Sequence, residues 1–157
     1  MISPSLAAVR PYEEADRAKV LALGLHKGVI DTPENRQLVV EDGDTFGVVT
    51  WAWPGTIDMD IPTLGGVSIS EPGRRDLYDK LLLAVCDAAL DGGHTRGQAY
   101  VMDEFVLTLM QADFEITVTP VGRNVKTSKP GYWEIEFDLA KNREILTNSI
   151  GPQVGLK

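Results

Sequence analysis

The chain has 157 residues, 43% hydrophobic and 24% charged, which fits one soluble globular domain with a real core. Its formal net charge of −8 argues against wrapping nucleic acid or lying on an anionic membrane, because both need a basic face. Its one cysteine, Cys86, excludes an internal disulfide and fits a reducing compartment.

Ser5 to Arg10 reads as a short first strand, stopped by Pro11. The spacing predicts a helix over Glu13 to Lys27, with Val20, Leu21, Leu23 and Leu25 apolar and Gly28 ending it. "RQLVVEDGDTFGVVTWAW" is a hairpin signal, with Asp42-Gly43 suited to a tight type I′ turn. Its second run is apolar on both faces, as an interior strand is.

Leu64 to Ile69 is a further strand. A long helix is expected from about Pro72 to Asp91, capped by Ser70, with Pro72 in its first turn. Leu77, Leu81, Val85 and Ala88 recur at helical spacing, with Asp76, Asp79, Lys80, Asp87 and Asp91 on the other side. Gly92-Gly93 stops it.

"GQAYVM" is a strand. "DEFVLTLMQAD" is a helix capped by Asp103, with Phe105, Val106, Leu109 and Met110 inward. "FEITVTPV" and "YWEIEFDL" alternate as strands. The order is β-α-β-β-β-α-β-α-β-β. It implies an α/β fold, a mixed sheet with helices on both faces. One domain is expected over 1–140, with 141–157 as a tail outside the core. The tail and the loop 122–131, which carries Arg123, Lys126 and Lys129, are candidate partner contacts.

No apolar run approaches the length of a membrane span. "MISPSLAAVRPYEEAD" has no basic stretch before an apolar one, so no signal peptide is expected. His26 and His94 have no partner at ligand spacing, so no metal site is expected. Cys86 fits a half-buried core thiol.

The strand-to-helix stretch "SEPGRRDLYDKLL" is the candidate binding loop, because the first N–H groups of a helix are free to hold an anion. Arg74 and Arg75 could grip a phosphate there, or form a solvated first turn. Glu71, Asp58 and Asp60 are candidate general bases, or ordinary solvated loop acids.

The element order over about Leu6 to Leu139 resembles the GNAT superfamily of acyl-CoA-dependent N-acyltransferases. "AAVRPYEEADRAKVLAL" resembles its opening strand and first helix. "VSISEPGRRDLYDKLLLAV" resembles its fourth strand, pyrophosphate loop and helix. "VMDEFVLTLMQADFEI" resembles the following strand end, helix and "G-F" entry into the sixth strand. The resemblance implies an acetyl-CoA site at Ile69, Gly73, Arg74, Arg75, Asp76, Leu77 and Tyr78, with Asp103 at the second helix start.

The departures fall within that site. The family loop is Q/R-x-x-G-x-G/A, and the aligned window is Gly73-Arg74-Arg75-Asp76-Leu77-Tyr78. Asp76 and Tyr78 replace the two small residues that admit the pyrophosphate. Asp103 stands where many members have asparagine. Leu109 stands where they have the tyrosine that protonates the thiolate, and leucine has no proton to give. Asp113 replaces the glycine of "G-F". A retained fold with an overwritten site also resembles small GNAT-like proteins of tailed phages, some of them virion components.

The expectation is a non-catalytic module that binds protein within a larger assembly, without a cofactor, in the cytoplasm or in a virion if phage-encoded. The alternative is an N-acetyltransferase that uses acetyl-CoA by a divergent site.

Overall fold

The computed structural model describes residues 7–25, 27–32, 35–52, 61–71, 73–101, 104–122 and 131–150. Seven strands form one sheet: β1 Arg10–Pro11, β2 Asn35–Asp42, β3 Thr45–Ala52, β4 Thr63–Ile69, β5 Arg96–Val101, β6 Ile116–Val121 and β7 Tyr132–Asp138. The helices are α1 Arg17–Ala22, α2 Lys27–Asp31, α3 Arg75–Asp91, α4 Glu104–Asp113 and α5 Leu139–Ile150, with a 3₁₀ turn over Glu14–Asp16. The strand order is β1-β2-β3-β4-β5-β7-β6. β4 and β5 are parallel and the other neighbours antiparallel. This is the mixed α/β architecture with helices on both faces that the element order implies.

β3 is the interior strand, buried at every residue from Thr45 to Trp51. Phe46 and Val48 meet Val20 of α1 on one face. Val49 and Trp51 meet Leu77, Leu81 and Val85 of α3 on the other. The crossovers β4-α3-β5 and β5-α4-β6 run in the same direction across the sheet, so right-handed connections place α3 and α4 on one face. α1 and α2 pack on the opposite face, over β2 and β3. Pro120 lies in the edge strand β6, where a missing N–H breaks no ladder.

Several boundaries differ from expectation. The first helix is split: α1 ends at Ala22, Gly24 turns the chain at φ +95, and Gly28 lies inside α2. The hairpin pairs Asp42 with Thr45, so its turn is Gly43-Asp44, with Gly43 at φ +62. α3 starts at Arg75, not at about residue 72, and its N-cap is Arg74. Ser70 does not cap it. Ser70 continues the β3–β4 ladder, its Oγ accepting the Phe46 N–H at 2.9 Å and its N–H donating to the Phe46 carbonyl at 2.8 Å. Among the described side chains of α4, Leu107 is the buried one, while Phe105 is 69% exposed. The side chains of Val106 and Leu109 lie outside the described set.

The expected tail from 141 is corrected. Residues Leu139–Ile150 form α5, and Leu139 and Leu146 are buried in the main core with α3. The buried Asn142 binds the chain between α4 and β6. Its Oδ1 accepts the Glu115 N–H at 3.0 Å, and its Nδ2 donates to the Glu115 and Asp138 carbonyls, both at 2.9 Å. Asp79 is correspondingly buried rather than solvent-facing, because Ser149 of α5 covers it and donates to it at 3.1 Å. Residues 151–157 lie outside the described set.

Candidate functional site

The site begins where β4 leaves β5. The two strands pair at Thr63–Gln98 and Leu64–Ala99, and they pair no further. Beyond that point β4 stays with β3 as far as Ile69, through a bulge opposite Thr50 and Trp51. Gly65 is the extra residue. A Cβ there would stand 2.7 Å from the Thr50 methyl, so the close approach requires glycine. β4 and β5 therefore part after Leu64 and Ala99, and β4 runs on to the β4–α3 turn.

The sequence brings Ile69, Gly73, Arg74, Arg75, Asp76 and Tyr78 together at that turn. Leu77 belongs to the core, fully buried under α3. Glu71 is exposed and its carboxylate accepts the Thr45 hydroxyl at 2.8 Å. Asp58, Asp60, Pro72 and Asp103 lie outside the described residues, as do His26, Arg123, Lys126 and Lys129.

The charges at the turn satisfy one another. Arg74 donates from Nε and Nη2 to the two Asp76 oxygens, each at 3.0 Å, and from Nη2 to Asp42 at 2.6 Å. Arg74 holds the Asp76 carboxyl below the usual carboxylate range, against the opposing effect of burial. The backbone N–H groups of Leu77 and of Asp76 itself act in the same direction. Thus an internal carboxylate, already paired with Arg74, stands in the first turn of α3, where an outside anion would bind. Arg75 is also engaged: Nε donates to Asp79 and Nη2 to Asp113, both at 3.0 Å.

Behind the turn lies a small apolar cleft of about 40 Å³. Its walls include Leu64, Leu82 and Cys86, with Met110 and Phe114 opposite and Leu146 of α5 behind. Tyr78 lines the same cleft, and burial raises its hydroxyl pKa above that of an ordinary phenol. Burial pushes the Cys86 thiol up to about 12, so it is not a nucleophile.

Sequence reasoning missed Asp42 and Asp113 as the partners of the two arginines. They lie 32 and 38 residues away along the chain, and their oppositely charged partners were the only signal. Among the described residues, no cluster of metal-ligating side chains occurs, and no helix is long and apolar enough to cross a membrane.

No family model and no curated protein matches the sequence. Solved structures do match by shape. A Bacillus subtilis acetyltransferase in complex with CoA superimposes with TM-score 0.61 at 12% identity, over 84% of this chain and 98% of that one. A spermidine N-acetyltransferase chimera from Vibrio cholerae gives 0.60 at 14%, over 89% and 99%. A Salmonella typhimurium putative acetyltransferase with acetyl-CoA gives 0.55 at 16%, over 86% and 95%. The chain therefore has the GNAT fold, as its element order implies. At such identities the likeness establishes the fold alone.

Proposed function

We propose that this chain is a GNAT-fold module that acts by binding protein and does not transfer acetyl groups from acetyl-CoA. One observation carries the reading. The Asp76 carboxylate, clamped by Arg74, lies in the first turn of α3. A diphosphate at that turn would meet the negative charge of a carboxylate that already has its guanidinium. Placement in the cytoplasm, or in a virion if the chain is phage-encoded, belongs to the same proposal. Titrating acetyl-CoA into about 100 μM protein by calorimetry should give no measurable heat, with a Kd above about 1 mM. A Kd in the low micromolar range would overturn the reading.

A second reading, an N-acetyltransferase with a divergent cofactor site, is favoured by the opening between β4 and β5 and its Gly65 bulge. The same titration separates the two, because transfer requires the cofactor to bind.

A further inference from the structure

We propose that the uncovered face of the β5–β7–β6 half of the sheet is the docking surface, and that the partner presents an arginine- or lysine-rich segment. This rests on the protein-binding reading above and names its partner's chemistry.

Strand alternation defines the face. Ala99, Val101, Trp133 and Ile135 point toward α4. The residues between them point the other way. Among the described residues no helix packs there, because α1 and α2 lie over β2 and β3. Tyr100 is accordingly 50% exposed. Its ring meets that of Tyr132 edge-on at 5.8 Å. Glu134 stands directly opposite Tyr100 in register, on the same face.

The charges on the face do not balance. Arg96 is taken by Glu136. Asp138 accepts the Lys141 N–H at the start of α5. Among the described residues Glu134 has no cationic partner. A guanidinium or ammonium laid on this face would meet two tyrosine rings and a carboxylate that has no cationic partner among the described residues. The net charge of −8 steers a basic partner from a distance. It also disfavours a second copy, since a two-fold contact through this face would set Glu134 and Glu136 against their own images. Three short strands offer roughly 300 Å², so the contact should be weak and salt-sensitive.

The test uses a fluorescein-labelled peptide of five Arg-Gly repeats as probe, read by anisotropy at low and physiological salt. A Glu-Gly peptide is the control. The Arg-Gly peptide should bind and the Glu-Gly peptide should not. Glu134→Gln or Tyr100→Ala should weaken binding by about fivefold or more, and Tyr100→Phe, which keeps the ring, should not. Glu144→Gln makes the same charge change at an exposed position on α5 and should have no effect. Equal loss in Glu144→Gln, no loss in Glu134→Gln, or no binding of the probe overturns the proposal. So does a dimer in sedimentation that Tyr100→Ala abolishes, because the occupant would then be a second copy. The acetyl-CoA titration stands apart. Micromolar cofactor binding with normal probe binding sinks the function reading alone, and the reverse sinks the docking surface alone.

Discussion

Arg75 Nη2 donates to Asp113 Oδ2 at 3.0 Å, tying the β4–α3 turn to the end of α4. Arg75 lies in the window aligned with the pyrophosphate loop, and Asp113 replaces the glycine of "G-F". The two regions are therefore tied in space: an acid on α4 answers a base on α3. Across the same turn, Arg74 answers Asp76 and Asp42.

The two partners of Arg75 should differ in energetic weight. Asp113 is 40% exposed, whereas the Asp79 side chain is 4% exposed. Exposed pairs contribute little, but a buried carboxylate stripped of its cation is costly. Asp113→Ala should cost less than about 0.5 kcal/mol in urea unfolding. Arg75→Ala should cost about 1–3 kcal/mol, because it leaves Asp79 with Ser149 alone. Equal losses would show that the burial of Asp79 does not decide.

α5 should be integral to stability. Leu146 is 2% exposed and belongs to the same cluster as Val85, Cys86 and Ala89. Leu146→Ala should cost about 2–5 kcal/mol in chemical denaturation. A chain ending at Ala140 should lose cooperative unfolding. A melting temperature unchanged by that truncation would return α5 to the status of a tail.

The strands and α3 were legible because their patterns are strong. β3 is apolar at both parities, and α3 repeats leucines at helical spacing before a double glycine. α5 was illegible because only Leu139 and Leu146 of its turns are deeply buried, and its third buried residue is Asn142. Two apolar positions seven apart do not mark a helix. Asp79 was misplaced for the same reason, since its burial exists only once α5 is in place. Phe105 seemed inward because it is large and apolar, but the face of α4 that meets β5 is set by Leu107. At the site the departures from the family pattern are legible residue by residue, but the ion pairs of Arg74 and Arg75 join residues up to 38 apart and have no local pattern.

Asp16 should govern part of the acid sensitivity. It is 5% exposed, and Arg10 binds it through two hydrogen bonds of 2.8 and 2.9 Å. Arg10 is the main cause that holds its carboxyl below the usual range, with the Glu13 N–H helping. The folded state therefore keeps this group ionised at a pH where the unfolded chain takes up a proton. The stabilisation is fully present above the unfolded value of about 3.9 and is lost as pH falls through the folded one. The stability gap between wild type and Asp16→Asn should be constant from about pH 6 to 8 and close below about pH 4. A gap that widens in acid would reverse the assignment.

The β4–α3 turn itself can be put to a direct test. Asp76→Gly removes the internal anion from the helix start and leaves Arg74 paired with Asp42. Tyr78→Ala removes a ring from the wall where the aligned pattern has a small residue. If charge and bulk together close the turn, the double variant should bind acetyl-CoA with a Kd of about 100 μM or below, against above about 1 mM for wild type. That is a gain of about 1.4 kcal/mol or more. Each single change should give less than half of it, since either obstacle alone suffices. The gain should shrink with added salt, as expected for a contact between phosphate and a helix terminus. Acetyl transfer to an amine should stay near background, because Leu109 stands where the family places its proton donor. No gain in affinity would show that the turn excludes the cofactor for another reason. Restored turnover would show that another group in the cleft supplies the proton.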